Sequence, residues 1–257
     1  MKRIIVITSG KGGVGKTTTA VNLGAAINHF GKNVLVVDGN LTTPNVGIFL
    51  GSPEVPVSLN HVLNGKAEVF EAVYEHESGM KILPASLSLK ELDKIKPNNI
   101  KDLKKDLTDI AEYVIVDSAA GLGNEARSAM DLADELIIVT NPELPAVTDA
   151  LKTIKLAEKA HKPVLGIIVT RVRGDKIEMS PELVKEMLET PVLGMIPEDR
   201  SIQKSLNLKN PVIHTHPTSH ASRAYKEIAS QILNVPYEAH KDKKNVFKTW
   251  LKKLGLA

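Results

Sequence analysis

The stretch Ile4-Ile5-Val6-Ile7-Thr8-Ser9-Gly10-Lys11-Gly12-Gly13-Val14-Gly15-Lys16-Thr17-Thr18-Thr19-Ala20 decides the fold. An apolar, β-branched run leads into a glycine-dense turn, and the turn opens into helical apolar spacing at Ala20, Leu23, Gly24 and Ile27. That order reads strand, loop, helix. Gly10 to Thr17 also satisfies G-x-x-x-x-G-K-[ST], a loop whose backbone N–H groups turn inward around phosphate oxygens. Glycine permits the turn, and the helix expected near Lys16 adds its positive N-terminal end. The cradle then comprises Gly10, Gly12, Gly13, Val14, Gly15, Lys16, Thr17 and Thr18, with Lys16 on the β and γ phosphates and the Thr17 hydroxyl on Mg²⁺. The strand before and the helix after separate this reading from a chance match in a glycine-rich turn.

A second lysine, Lys11, stands inside Lys11-Gly-Gly-Val-Gly-Lys-Thr-Thr18. This loop resembles the deviant Walker A loop of the ParA/MinD family of ATPases. The resemblance implies a P-loop NTPase fold, ATP and Mg²⁺ as cofactors, and a homodimer sandwiching ATP in which Lys11 acts in trans. It covers most of residues 3–235, strongest at Lys11–Thr18 and weaker at Asp117–Gly121 and Pro197–Val212.

Short runs rich in Val and Ile recur at 34–37, 81–83, 113–116, 136–139, 164–169 and 192–196, with helical segments at 125–132, 146–160, 181–188 and 222–233. Strands apolar on both faces belong to a parallel sheet covered on both sides, so the expected class is α/β, a doubly wound, mostly parallel sheet. Ligands are then expected at the carboxyl ends of the strands. Ser180 reads as an N-cap before Pro181, and Ser88-x-x-Glu91 as a capping box.

Two runs end in carboxylates, Asp38 and Asp117. The resemblance makes both Mg²⁺-linked, and it makes Asp117–Gly121 the switch segment, with Ala119 in the place of the usual proline and Gly121 offering its N–H. Two residues after Asp38 the family carries an aspartate that holds the attacking water; here the residue is Asn40. An amide can orient water but cannot take a proton or add negative charge, so slow turnover is expected. The catalytic set is therefore Lys11, Lys16, Asn40 and Asp117. By the same resemblance, Asn141, Arg171, Pro197, Glu198 and Asp199, just past the late strands, wrap the base and ribose.

At 257 residues with 25% charged and 42% hydrophobic side chains, the chain has the composition of one soluble α/β domain. It contains no cysteine, which excludes thiolate-bound metal clusters and the iron–sulfur relatives that share this loop. There is no run of eighteen apolar residues and no cleavable leader, so a cytoplasmic protein is expected. His214, His216 and His220 read as a solvated loop before the last helix, short of the ligand count for zinc.

The net charge of +3 hides an asymmetry, since six lysines and one aspartate follow position 240 and the first 240 residues carry −2. After a domain at 1–235 and a polar linker at 236–245, residues 246–257 place Phe247, Trp250, Leu251 and Leu254 on one helical face, with Lys248 and Lys252 on another. That is the pattern of a helix lying in an anionic membrane surface, and it is similar to the membrane-targeting helix of the MinD branch of the family. The implied function is an ATP-dependent membrane switch in spatial positioning such as division-site placement, peripheral at the inner face of the cell membrane, with a regulator or cargo protein the sequence does not identify. The alternative is a ParA-type partitioning ATPase that binds DNA through a basic stripe.

Overall fold

Strands apolar on both faces need cover on both sides, and this chain supplies it by sending helices back across the sheet between successive strands. The computed structural model describes residues 2–92, 97–175 and 177–238. Strands β1 to β8 are Arg3–Thr8, Val34–Gly39, Tyr74–Glu75, Lys81–Leu83, Tyr113–Ser118, Glu135–Thr140, Val164–Val172 and Val192–Pro197. Helices α1 to α11 are Lys16–His29, Val46–Phe49, Leu59–Leu63, Leu89–Leu92, Lys104–Ile110, Asn124–Leu132, Leu144–Lys159, Pro181–Leu188, Arg200–Asn207, Val212–Thr215 and His220–Leu233. The sheet order is β3-β4-β2-β5-β1-β6-β7-β8, with β3 antiparallel to β4 and the other pairings parallel. After β1 the chain turns one way through α1 to β2; after β5 it crosses to β6 on the other side of β1. The loop after β1 thus stands at the switch point of the sheet, where ligands bind in this architecture.

Alternation along each strand divides the core into two faces. Ile5, Ile7, Val34, Val36 and Ile115 meet Leu23, Ile27, Val212, Tyr225 and Ile228 of α1, α10 and α11. Ile4, Val6, Leu35, Val37 and Val116 meet Leu59, Leu107 and Met130 on the opposite side. Gly24 lets α1 lie close on the sheet, because a Cβ there would come within 2.6 Å of Val36 Cγ2. Gly24→Ala should therefore destabilise by about 1–3 kcal/mol, against the usual gain for alanine in a helix. A raised melting temperature in this variant would show that β2 yields without strain.

At the N-terminal edge of the sheet, Arg3 Nη1 donates to the Ile232 carbonyl near the end of α11 at 3.2 Å. The Tyr237 ring meets Phe30, just past α1, edge-on with centroids 5.8 Å apart. The chain therefore leaves the described region at this edge.

Ser180 caps α8 as expected, accepting from the Leu183 N–H at 3.2 Å. The Ser88–Glu91 capping box does not form. Ser88 N–H donates to Ser86 Oγ, while Glu91 accepts from Lys66 and Asn64, because an ammonium offers a carboxylate more than a backbone amide does. The histidine stretch is a solvated loop only in part, at 216–219. His214 lies half-buried in α10, its ring stacked on His76 at 5.9 Å, and His220 opens α11. Among the described residues no group of three metal-ligating side chains is assembled. Residues 239–257, with Phe247, Lys248, Trp250, Leu251, Lys252 and Leu254, lie outside the described residues.

Candidate functional site

The loop between β1 and α1 needs glycine at particular points. A Cβ on Gly10 would fall 2.3 Å from the Asp149 carbonyl oxygen of α7, so only glycine lets the loop pass that helix. Gly13 and Gly15 have φ of 78° and 93°, the left-handed region, which turns the chain into α1. Val14 is buried, and its carbonyl accepts from the Thr170 hydroxyl at 2.5 Å. Thr170 Oγ1 also lies 2.9 Å from Asn141 Oδ1, so Asn141 braces the loop through Thr170. Lys11 is exposed, whereas Lys16 is 9% exposed at the head of α1. Burial pulls the Lys16 ammonium below its ordinary pKa, against the opposing pull of Asp117.

The two carboxylates are neighbours, Asp38 pairing with Asp117 in the β2–β5 register, and both are fully buried. Asp117 Oδ2 accepts from the Thr17 hydroxyl at 2.5 Å, while its Oδ1 is buried without a hydrogen-bond partner. Burial raises its pKa to about 6, with the Thr17 bond and Lys16 opposing. Asp38 is raised well above the ordinary carboxylate range by burial and then by Asp117. Its oxygens already accept from the N–H groups of Asn40, Asn45 and Val46 at 3.2, 2.8 and 2.9 Å. Asp38 thus organises the loop after β2.

Asn40 is committed within the same loop. Its Nδ2 donates to the Thr43 carbonyl at 2.6 Å and lies 3.0 Å from Thr43 Oγ1, and its Oδ1 accepts from the Thr43 N–H at 3.3 Å. The expected switch glycine is occupied as well, since the Gly121 N–H donates to the Ser9 carbonyl at 2.9 Å.

Two cavities meet at these elements. One, of about 330 Å³, is lined by Gly12, Gly13, Gly15, Lys16, Thr17, Thr18 and Asn40, with Thr43, Asn45, Phe49 and Ala120 closing it. The other, of about 280 Å³, is lined by Thr170, Pro197, Glu198, Asp199, Ile202, Gln203, Leu206 and Tyr225. Gly15, Thr18 and Arg171 belong to both, so the two form one groove. Arg171 takes a left-handed φ of 55°, a strained conformation for a non-glycine residue, at the junction. Asp199 spends its carboxylate on structure, accepting from Ser201 N–H at 2.8 Å in α9 and Ala221 N–H at 3.1 Å in α11. Burial pushes its pKa up, but these bonds hold it below the ordinary value.

The groove suits an elongated anion with a flat end that takes both apolar and polar contacts. Its phosphate half offers backbone N–H groups, the buried Lys16 and the head of a helix, and its other half mixes apolar Ile202 and Leu206 with polar Glu198 and Gln203. The orphaned Asp117 Oδ1 beside the Thr17 hydroxyl is the kind of hard oxygen donor set that takes a hydrated Mg²⁺. Sequence reasoning missed Thr43, Asn45, Phe49, Ala120, Thr170, Ile202, Gln203, Leu206 and Tyr225. The Asn-x-x-Thr spacing of the Asn40 turn is the one signal that could have pointed to any of them.

A family model for ParA, described as an NUBPL iron-transfer P-loop NTPase, matches residues 1–233. The chain has no cysteine with which to hold iron through a thiolate. An uncharacterised ATP-binding protein of Methanocaldococcus jannaschii is 38% identical over 240 residues, 93% of this chain and 91% of that protein. The septum site-determining protein MinD of Synechocystis is 34% identical, covering 90% of each. The solved structure of MinD from Pyrococcus horikoshii complexed with Mg-ADP superposes with a TM-score of 0.87 at 35% identity, covering 90% of this chain and 96% of that one.

Proposed function

The chain belongs to the ParA/MinD family of P-loop NTPases, and from that premise we propose that it is a slow ATP hydrolase whose nucleotide state drives a dimeric, membrane-associated switch in spatial positioning. The observation that carries this reading is the continuous groove whose phosphate half is lined by Lys16 and Thr17, with the buried Asp117 bonded to Thr17 and Asp38 paired beside it. In this reading ATP takes the groove with its phosphates on the Gly10–Thr18 loop, and Mg²⁺ sits by Thr17 and Asp117, with Asp38 reached through water. Bound Mg²⁺ supplies charge neutralisation between the terminal phosphates and a fixed template for them. Lys16 neutralises the charge that develops on the transferred phosphoryl group, and the loop N–H groups orient its oxygens. Gly121 offers its N–H to the terminal phosphate by exchanging it from the Ser9 carbonyl. Pro197 and Glu198 contribute backbone to the base pocket, and Arg171 closes over its junction with the phosphates.

Slow turnover follows from Asn40. Its amide is spent on Thr43, so it neither accepts a proton nor holds a water in the arrangement seen. Asn40→Asp should raise kcat by roughly 10-fold, the scale of a repositioned general base, and lower stability, because the carboxylate has no donors for the Thr43 carbonyl. An unchanged rate would remove this position from the control of hydrolysis.

The domain at 1–235, linker at 236–245 and basic amphipathic segment at 246–257 fit attachment by two weak helices joined in one ATP-bound dimer, where effective concentration replaces affinity. The test is flotation with anionic liposomes in ATP·Mg²⁺ and in ADP, alongside a chain ending at Asn245. Flotation only in ATP and only with the tail supports the switch. Flotation in neither nucleotide removes the membrane from the reading and leaves the ATPase.

A further inference from the structure

Two loops border the phosphate end of the groove, residues 40–45 after β2 and residues 118–124 after β5. A carboxylate joins them. Glu125, in the first turn of α6, accepts from the Thr42 N–H at 3.0 Å through one oxygen and from the Thr42 hydroxyl at 2.8 Å through the other. Both bonds are to an ionised acceptor, the stronger class of hydrogen bond. Otherwise the 40–45 loop is held by Asp38, by its own bonds and by the buried Leu41, and the 118–124 segment by the bond from the Gly121 N–H to the Ser9 carbonyl.

We propose that Glu125 is a positioning residue that makes the two loops move as one body, so that the loop carrying Asn40 follows the segment carrying Gly121. The inference rests on the ATP hydrolysis reading and deepens it. For Gly121 to offer its N–H to a terminal phosphate, that N–H must leave Ser9, and the segment leading into α6 shifts with it. Glu125 then draws Thr42 along, and with Thr42 the Asn40–Thr43 turn that closes the phosphate half of the groove. Without the carboxylate, the segment would answer the phosphate while the 40–45 loop stayed behind.

The test begins on nucleotide-free protein, by amide hydrogen exchange in wild type, Glu125→Ala, Glu125→Gln and Thr42→Val. In Glu125→Ala the amides of residues 41–45 should exchange at least ~10-fold faster, with α1 and β5 unchanged, since a lost tether lowers local rather than global stability. Glu125→Gln keeps an acceptor for the Thr42 N–H and should recover most of the protection. With ATP·Mg²⁺, Glu125→Ala should lose about 10-fold in kcat at a KM within about twofold of wild type, and adding Thr42→Val should cost nothing more. Unchanged exchange at 41–45, a loss carried by KM alone, or additive losses would each overturn the coupling. A wild type that does not hydrolyse ATP would defeat the functional reading instead, and the exchange experiment would still decide whether Glu125 joins the loops.

Discussion

Asp117→Asn raises the melting temperature of the nucleotide-free protein at pH 7.5 and, in the same variant, abolishes Mg²⁺-dependent ATP hydrolysis. Two carboxylates side by side in a fully buried register repel each other and are stripped of water. The folded protein holds the Asp117 proton to about pH 6, while an unfolded chain releases it near ~4. The native state therefore binds the proton more tightly, and stability falls as pH rises from about 4 through about 6, then levels off. An asparagine keeps an oxygen for the Thr17 hydroxyl and never charges, so it should recover on the order of 2–3 kcal/mol at neutral pH. For a chain of this size that is roughly 5–10 °C, and the gap should close below about pH 4. Thermal unfolding of both proteins from pH 4 to 8 checks the sign. Equal melting temperatures at pH 7.5 would mean the empty site already neutralises its acids by another route. Hydrolysis should fall at least ~100-fold, as expected when a metal-linked acid is lost from a phosphoryl-transfer site.

Lys11→Ala should leave ATP binding within about threefold of wild type while removing the ATP-dependent dimer and lowering turnover by ~100-fold or more, the range for a cation supplied across an interface. The two lysines of one loop sit in opposite surroundings, Lys16 buried under the phosphate cradle and Lys11 exposed outside it. A side chain outside its own cradle can serve a neighbouring copy. Equilibrium binding of a fluorescent ATP analogue, with light scattering for the assembly state, separates the two roles. If Lys11→Ala weakens binding as much as Lys16→Ala does, Lys11 serves its own nucleotide and the trans role falls.

The strongest local signals carried the fold. The glycine loop, the Val- and Ile-rich runs and the two terminal aspartates lie where the sequence puts them, because strand period and glycine φ are properties of adjacent residues. What escaped depends on distant partners. Asn141 stands at a strand end, and the bond its Oδ1 accepts from Thr170, 29 residues away, is one the sequence does not show. Asp199 lines the second cavity as part of its turn, and what the sequence did not show is that its carboxylate is tied to α9 and α11. Tyr225 and Gln203 wall the second cavity of the groove from α11 and α9, helices whose amphipathic spacing reads as ordinary packing. The antiparallel β3 is two residues long, too short to leave a period.

The Arg3–Ile232 and Tyr237–Phe30 contacts fix where the chain exits, and that exit is antipodal to the groove. The groove and the chain exit are thereby separated by the length of the strands. In the proposed switch, a signal from the groove to the chain exit has the length of the strands to cross, and a change in how many copies are held together carries it without crossing that distance.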